Sequence, residues 1–284
     1  MRRLSTALIA IAFFVSCGPQ GSQNSHPPET LAAGAEVSKA ATSYNVSSII
    51  TRDEAARLMS AFLNQPSLGT YATDKNFGGI FERSVFELDS TMAGSLLWFC
   101  YNSKAPASEQ WYLAASKVTG YTPAVTAKAV DVLWKPYDFF KYTGSGTSEA
   151  DVIKFIETHQ YGAPGKSPVV SQGEVRLQVQ EYMKVLLPTF DPNPEQLQKY
   201  PFSFFGEMSE DFQIRKLLAQ PGAIGVRYYY GYEAKDETGK EINNKIRVIL
   251  VAIDEYGKNL LGMKDGDGDI MIQRSFPPPP ESYE

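Results

Sequence analysis

Apolar residues recur along this chain with two spacings, a helical one and a strict alternation, and the switches between them mark out the elements. Ala55, Met59, Phe62 and Leu63 fall on one helical face, and so do Val175, Val179, Tyr182 and Met183. The spacing predicts helices over 51–64 and 171–187. Each is preceded by two β-branched residues, Ile49-Ile50 or Val169-Val170. Each opens on a hydroxyl followed three residues later by Glu, as Thr51 to Glu54 and Ser171 to Glu174. That is the pattern of a capping box, in which the hydroxyl accepts from an orphan amide and the Glu reaches back to the cap. Phe77–Phe81 parallels Tyr200–Gly206, and Ser84 and Ser209 each offer a cap for a short second helix. Strands are predicted at Ser95–Tyr101 and Ile224–Tyr232, then at Trp111–Ala115 and Ile246–Ile253.

The order helix, short helix, strand, strand thus occurs twice. The fold class expected is α+β, built from two related helix–helix–strand–strand units over 49–168 and 169–284. Such units either share a sheet or form separate lobes. The first carries a connecting insertion from 119, with apolar stretches at Val130–Trp134 and Tyr137–Tyr142. A short helix near 149–159 follows, with Val152, Phe155 and Ile156 inward. The second unit closes with a turn at Asp254–Gly257 and a strand near Ile270–Ser275. Pro277–Pro280 then ends any strand, because proline cannot donate to a ladder.

The chain before residue 49 is of a different kind. Arg2 and Arg3 precede an apolar run from Leu4 to Val15, then Ser16 and Cys17. This is the order of an export signal over 1–16. A helix over Leu4–Val15 rises roughly 18 Å against a hydrocarbon core of about 30 Å, too little to span a bilayer. Phe14-Val15-Ser16-Cys17 resembles the lipobox of bacterial lipoproteins, with Phe14 where Leu is usual. The resemblance implies cleavage before Cys17, a diacylglycerol on its sulfur and an acyl chain such as palmitate on the new amino terminus. Gly18 just after the Cys resembles lipoproteins sent on to the outer membrane in bacteria that have two. An unlipidated secretory signal is the competing reading. Residues 17–48 then read as a lipidated tether, rich in Gly, Ser, Asn, Ala and Pro and without an apolar face.

Charge narrows the partners. With 27 Lys and Arg against 32 Asp and Glu, the formal net charge is −5, and the signal takes two Arg with it. An acidic body lacks the clustered cations that bind phosphate backbones, so nucleic acid is not an expected ligand. Of the two Cys, Cys17 goes to lipid, and Cys100 lies in an apolar strand as a small buried residue. Neither a phosphate-binding glycine loop nor a Gly-x-Ser-x-Gly nucleophile motif occurs, and no cofactor is expected.

The remaining chemistry is sparse. Of the two His, His26 lies in the tether, and His159 ends a predicted helix, where an imidazolium suits the dipole. On that reading His159→Ala leaves the fold intact. Tyr228, Tyr230 and Tyr232 share one face of a strand, available to stack on sugars if open or to fill the core if not. Asp265, Asp267 and Asp269 alternate with Gly as in a calcium loop. Ile270 and Phe276, however, stand where an EF-hand needs its turn Gly and bidentate Glu, which favours a solvated turn. The function expected is a lipid-anchored cell-envelope protein, a non-enzymatic binding module for an envelope protein or glycan. The alternative is an envelope-polymer hydrolase using paired carboxylates as acid and base. Calcium titrated into the protein is expected to produce neither heat nor a shift in melting temperature; either signal restores Asp265, Asp267 and Asp269 as a metal site.

Overall fold

The computed structural model describes residues 48–89, 92, 94–119, 128–160, 165–197, 202–206, 213–235, 239–242, 244–261 and 271–273. In chain order the first elements are β1 (Ser48–Ile50), α1 (Arg52–Leu63), α2 (Pro66–Asp74), β2 (Gly78–Glu82), β3 (Gly94–Tyr101) and β4 (Trp111–Thr119). Next come β5 (Lys128–Trp134), β6 (Asp138–Phe140), α3 (Glu149–Thr158) and β7 (Val169–Val170). Then follow α4 (Gln172–Glu181), α5 (Leu187–Phe190), α6 (Pro194–Leu197), β8 (Phe202–Gly206), α7 (Gln213–Leu218), β9 (Gly225–Tyr232), β10 (Ile246–Ile253) and β11 (Met271–Gln273). The α+β class is as the sequence indicates.

Two antiparallel sheets hold these strands. One has six strands in the order β1-β11-β10-β9-β2-β6, the other five in the order β7-β5-β4-β3-β8. Their plans match. A short strand leading into a helix lies at one flank, a meander occupies the middle, and the strand that follows the helices lies beyond it. Each sheet therefore takes strands from both sides of residue 168. The central strands agree in detail: β3 starts at Gly94 and ends at Tyr101, while β9 starts at Gly225 and ends at Tyr232. Both pair over their whole length with the next strand, from Gly94↔Val118 to Tyr101↔Trp111 and from Gly225↔Ile253 to Tyr232↔Ile246.

The helices start as their sequences dictate. Thr51 Oγ1 accepts from the Glu54 amide at 3.1 Å, and Ser171 Oγ from the Glu174 amide at 3.1 Å. The second half of each predicted box differs. Glu54 pairs with Arg57 at 3.8 Å, and Glu174 accepts from Gln178 at 2.9 Å. The full reciprocal box belongs to α3, between Ser148 and Asp151. The second long helix also passes its predicted end. It widens into a π turn over Tyr182–Leu186 and resumes as α5. The sequence reading missed α2, whose start is signalled by Pro66 at its first position.

Both sheets feed one aromatic core. Trp111 of β4 stacks on Tyr230 of β9 with centroids 4.1 Å apart and planes 12° apart. Phe62 of α1 stacks on Tyr230 at 5.7 Å, and Tyr182 stacks on Phe99 of β3 at 5.4 Å. Aromatic pairs in such geometries contribute about 0.5–1.5 kcal/mol each beyond area burial. β10 is buried at every position, which explains its unbroken apolar run. Its one charge, Arg247, donates to Glu233 at 2.8 Å and to the Asn244 carbonyl. Asn244 adopts φ 62°, a left-handed conformation that Asn tolerates better than most residues.

The Tyr182 hydroxyl is fully buried and has no hydrogen-bond partner. Burying an unpaired hydroxyl costs about 1–3 kcal/mol. Tyr182→Phe is therefore expected to stabilise the protein by about 1 kcal/mol, read as a raised urea midpoint at unchanged slope.

Candidate functional site

A cleft of about 230 Å³ lies where the chain crosses from β5 to β6, lined by Ser108, Glu109, Lys135, Pro136, Tyr137, Asp138, Phe139 and Pro168. Its walls are tied from behind. Asn76 is fully buried and donates to the carbonyls of Ser108 at 3.0 Å and Trp111 at 2.7 Å, while its oxygen accepts from the Gly78 amide at 2.7 Å. The Lys135 amide donates to the Pro168 carbonyl at 2.8 Å and the Tyr137 amide to the Ile80 carbonyl at 2.9 Å. Ser167 and Glu82 exchange hydrogen bonds of 3.0 and 3.2 Å, which fix the segment just before β7. Gly165 lets the Tyr137 ring approach closely, since a Cβ there would lie 2.5 Å from it.

Inside the cleft, the Lys135 ammonium donates to Glu109 at 2.9 Å. It also sits over the rings of Tyr112 at 5.2 Å and Phe139 at 5.4 Å. Cation–π contacts at such distances hold the ammonium against the two rings. Tyr112 is itself anchored, donating its hydroxyl to Gln178 of α4. The Asp138 carboxylate accepts from the Phe139 amide at 2.8 Å. Burial raises the Tyr137 phenol above its ordinary value. As a chemical surface, the cleft offers an ammonium, two carboxylates, a serine hydroxyl and apolar walls within one small volume. Both carboxylates are already engaged, Glu109 by an ammonium and Asp138 by an amide.

A second polar cluster lies deeper. Arg227 of β9 is fully buried and donates to Asn259 Oδ1 at 2.7 Å, to the Gly257 carbonyl at 2.7 Å and to the His159 carbonyl at 3.4 Å. Asn259 donates to the Ile156 carbonyl and the Tyr229 hydroxyl, both at 2.8 Å. The His159 ring packs against Phe155 at 4.4 Å and Phe140 at 4.7 Å, with Nδ1 3.4 Å from the Tyr229 hydroxyl. Burial first, and the Arg227 charge second, hold its imidazole down at about 3. This corrects the reading of His159 as a cationic partner of the helix dipole. It does cap α3, but as a neutral ring inside the core.

The other residues singled out from sequence fall as follows. Tyr228, Tyr229 and Tyr230 are fully buried and Tyr232 is half-buried, so the strand has no open tyrosine face. Aromatic residues on both faces pack because the strand is covered on both sides. Cys100 is fully buried, and burial pushes its thiol well above the ordinary range. Cys17, His26, the trio Asp265, Asp267 and Asp269, and Pro277–Pro280 lie outside the described residues. Among the described residues no cluster of three or more His, Cys, Asp or Glu is placed to hold a metal ion. The cleft residues were missed by sequence reading. The signal for them was Lys135-Pro136 breaking an aromatic run between Trp134 and Tyr137. No family model matches the chain, and neither the curated proteins nor the solved structures contain a match.

The pH dependence follows from His159. In the unfolded chain a His takes up a proton near pH 6.5, whereas the folded imidazole stays neutral down to about 3. The unfolded state therefore binds the proton first, so this contribution to stability is complete above pH 6.5 and declines as pH falls toward 3. His159→Gln removes that titration. Urea midpoints measured across this range are expected to fall more steeply for the wild type, by an amount worth on the order of a few kcal/mol at the acid end. Parallel slopes would show that the ring titrates as it does in water.

Proposed function

We propose that this chain is a lipid-anchored cell-envelope protein whose folded body serves as a binding module. The observation that carries the reading is Cys17, placed directly after an apolar run and a small residue. Residues 18–47 separate it from the first described strand, and Tyr44–Glu284 cluster into a single compact unit. An acyl chain contributes about 0.8 kcal/mol per buried methylene, and two or more chains hold a protein stably on a bilayer. No helix of the described residues is long and apolar enough to cross a membrane. The braced cleft supports a binding role, since its shape is set by hydrogen bonds already formed in the fold. Its two carboxylates give less support to acid–base hydrolysis, because neither stands apart from other partners.

The body also reads as an internal duplication with exchanged flanks. The matched strand orders support it, as do the Gly-to-Tyr frames of β3 and β9 and the equivalent placing of Phe62 on Tyr230 and Tyr182 on Phe99. In this reading the strand, helix and strand of each half complete the meander of the other. A crystal structure is expected to superpose the five-stranded sheet and its helix on β1-β11-β10-β9-β2 and α1; failure to superpose removes the duplication.

Anchoring is tested by fractionation. Cys17→Ala is expected to move the protein from the membrane fraction to the soluble one, and the native product should carry the added mass of its acyl groups. Retention of the variant in the membrane, or a native mass without lipid, overturns the anchor.

A further inference from the structure

We propose that the cleft between Glu109, Lys135 and Asp138 binds a single uncharged saccharide ring, as a free sugar or as one residue of a glycan. This rests on the binding-module reading for the role and on the cleft itself for the chemistry.

Hydrogen-bonding capacity decides the class of ligand. The Lys135 ammonium has three donors, of which Glu109 takes one. One Glu109 oxygen and one Asp138 oxygen remain as acceptors beyond the bonds described. The Ser108 hydroxyl both gives and accepts. Donors and acceptors therefore alternate within one small space, which suits neighbouring hydroxyls, each of which also does both. Competing ligands fit less well. A phosphate or carboxylate meets two carboxylates and only one ammonium. A free amine has Asp138 alone to pair with, since Lys135 already holds Glu109 and the rings of Tyr112 and Phe139. Glu109 and Lys135 balance each other, leaving Asp138 as the one charge in excess.

Size and surface agree with that choice. The volume of about 230 Å³ lies below the roughly 300–1,000 Å³ of pockets for larger organic ligands, so one ring is what it holds. Phe139, Pro136 and Pro168 give apolar walls for the C–H faces of a ring. The ties from Asn76, Ser167 and the Lys135 amide form in the fold itself, so little order remains to be imposed when a ligand enters.

Saturation-transfer NMR on the purified full chain in detergent tests this with glucose, N-acetylglucosamine and soluble peptidoglycan fragments as observed ligands and with inorganic phosphate and ethylammonium as competitors. Transfer to the ring protons of at least one sugar is expected. Glu109→Gln and Asp138→Asn, with circular dichroism and melting unchanged, should each weaken it about tenfold, as losing a hydrogen bond to a charged group does. Transfer to both the free sugar and soluble peptidoglycan fragments marks a glycan residue as the ligand; transfer to the free sugar alone marks a small solute. Either supports the site. No transfer from the two sugars, or transfer that both variants leave intact, overturns it. So does displacement of bound sugar by phosphate or ethylammonium at equal concentration. Fractionation of Cys17→Ala stays independent of all these readings, so failure at the cleft and failure of the anchor are told apart.

Discussion

The contact between Trp111 and Tyr230 is the joint on which the molecule turns. One ring belongs to β4 of the five-stranded sheet and the other to β9 of the six-stranded sheet, and they lie nearly parallel at 4.1 Å. Phe62 and Tyr182, from the two long helices, pack around them. Because each sheet is stitched from distant parts of the chain, this stack fixes more than a local packing arrangement. It sets the spacing of two sheets whose edges are supplied from opposite halves of the sequence. Large flat rings suit such a joint, since they bury much apolar area with only two side-chain torsions to order.

The Tyr182 hydroxyl apart, the polar side chains that matter most to the buried frame have partners. Arg247 meets Glu233, Arg227 meets a ring of carbonyls and Asn259, and Asn76 gathers three backbone groups. Removing one partner from such a set costs more than the set itself contributes, since an ion or amide is then left buried alone. These groups therefore act mainly as selectors of one arrangement. Asn76 is the clearest case. It binds the start of β2 to the start of β4 and in doing so shapes the wall of the cleft some residues away.

Much of the scaffold was readable because its signals are local. Hydroxyl caps at Thr51 and Ser171, helical spacing after them, and the apolar run Ile246–Ile253 each report their own element. What stayed hidden depends on distant partners. A tyrosine strand looks alike whether one face is open or both are covered, and only Phe62 and Trp111 packed on Tyr230, with Phe140 and Phe155 packed on Tyr229, decide it. His159 stands at a helix end, where a charge is favoured, yet Phe140, Phe155 and Arg227 arrive from elsewhere and forbid that charge. The cleft was least visible, since Ser108, Lys135 and Pro168 are brought together by crossings between the sheets.

That each sheet draws strands from both sides of residue 168 has a consequence for timing. β1 and β2 emerge early, yet β1 pairs with β11 and β2 pairs with β9 as well as with β6, so the sheet that holds them is completed near the far end of the chain. Pairings so remote in sequence close slowly, because loop entropy is lost before contacts return it. A chain built in this order closes its first meander early but cannot complete the six-stranded sheet until β9, β10 and β11 have been delivered.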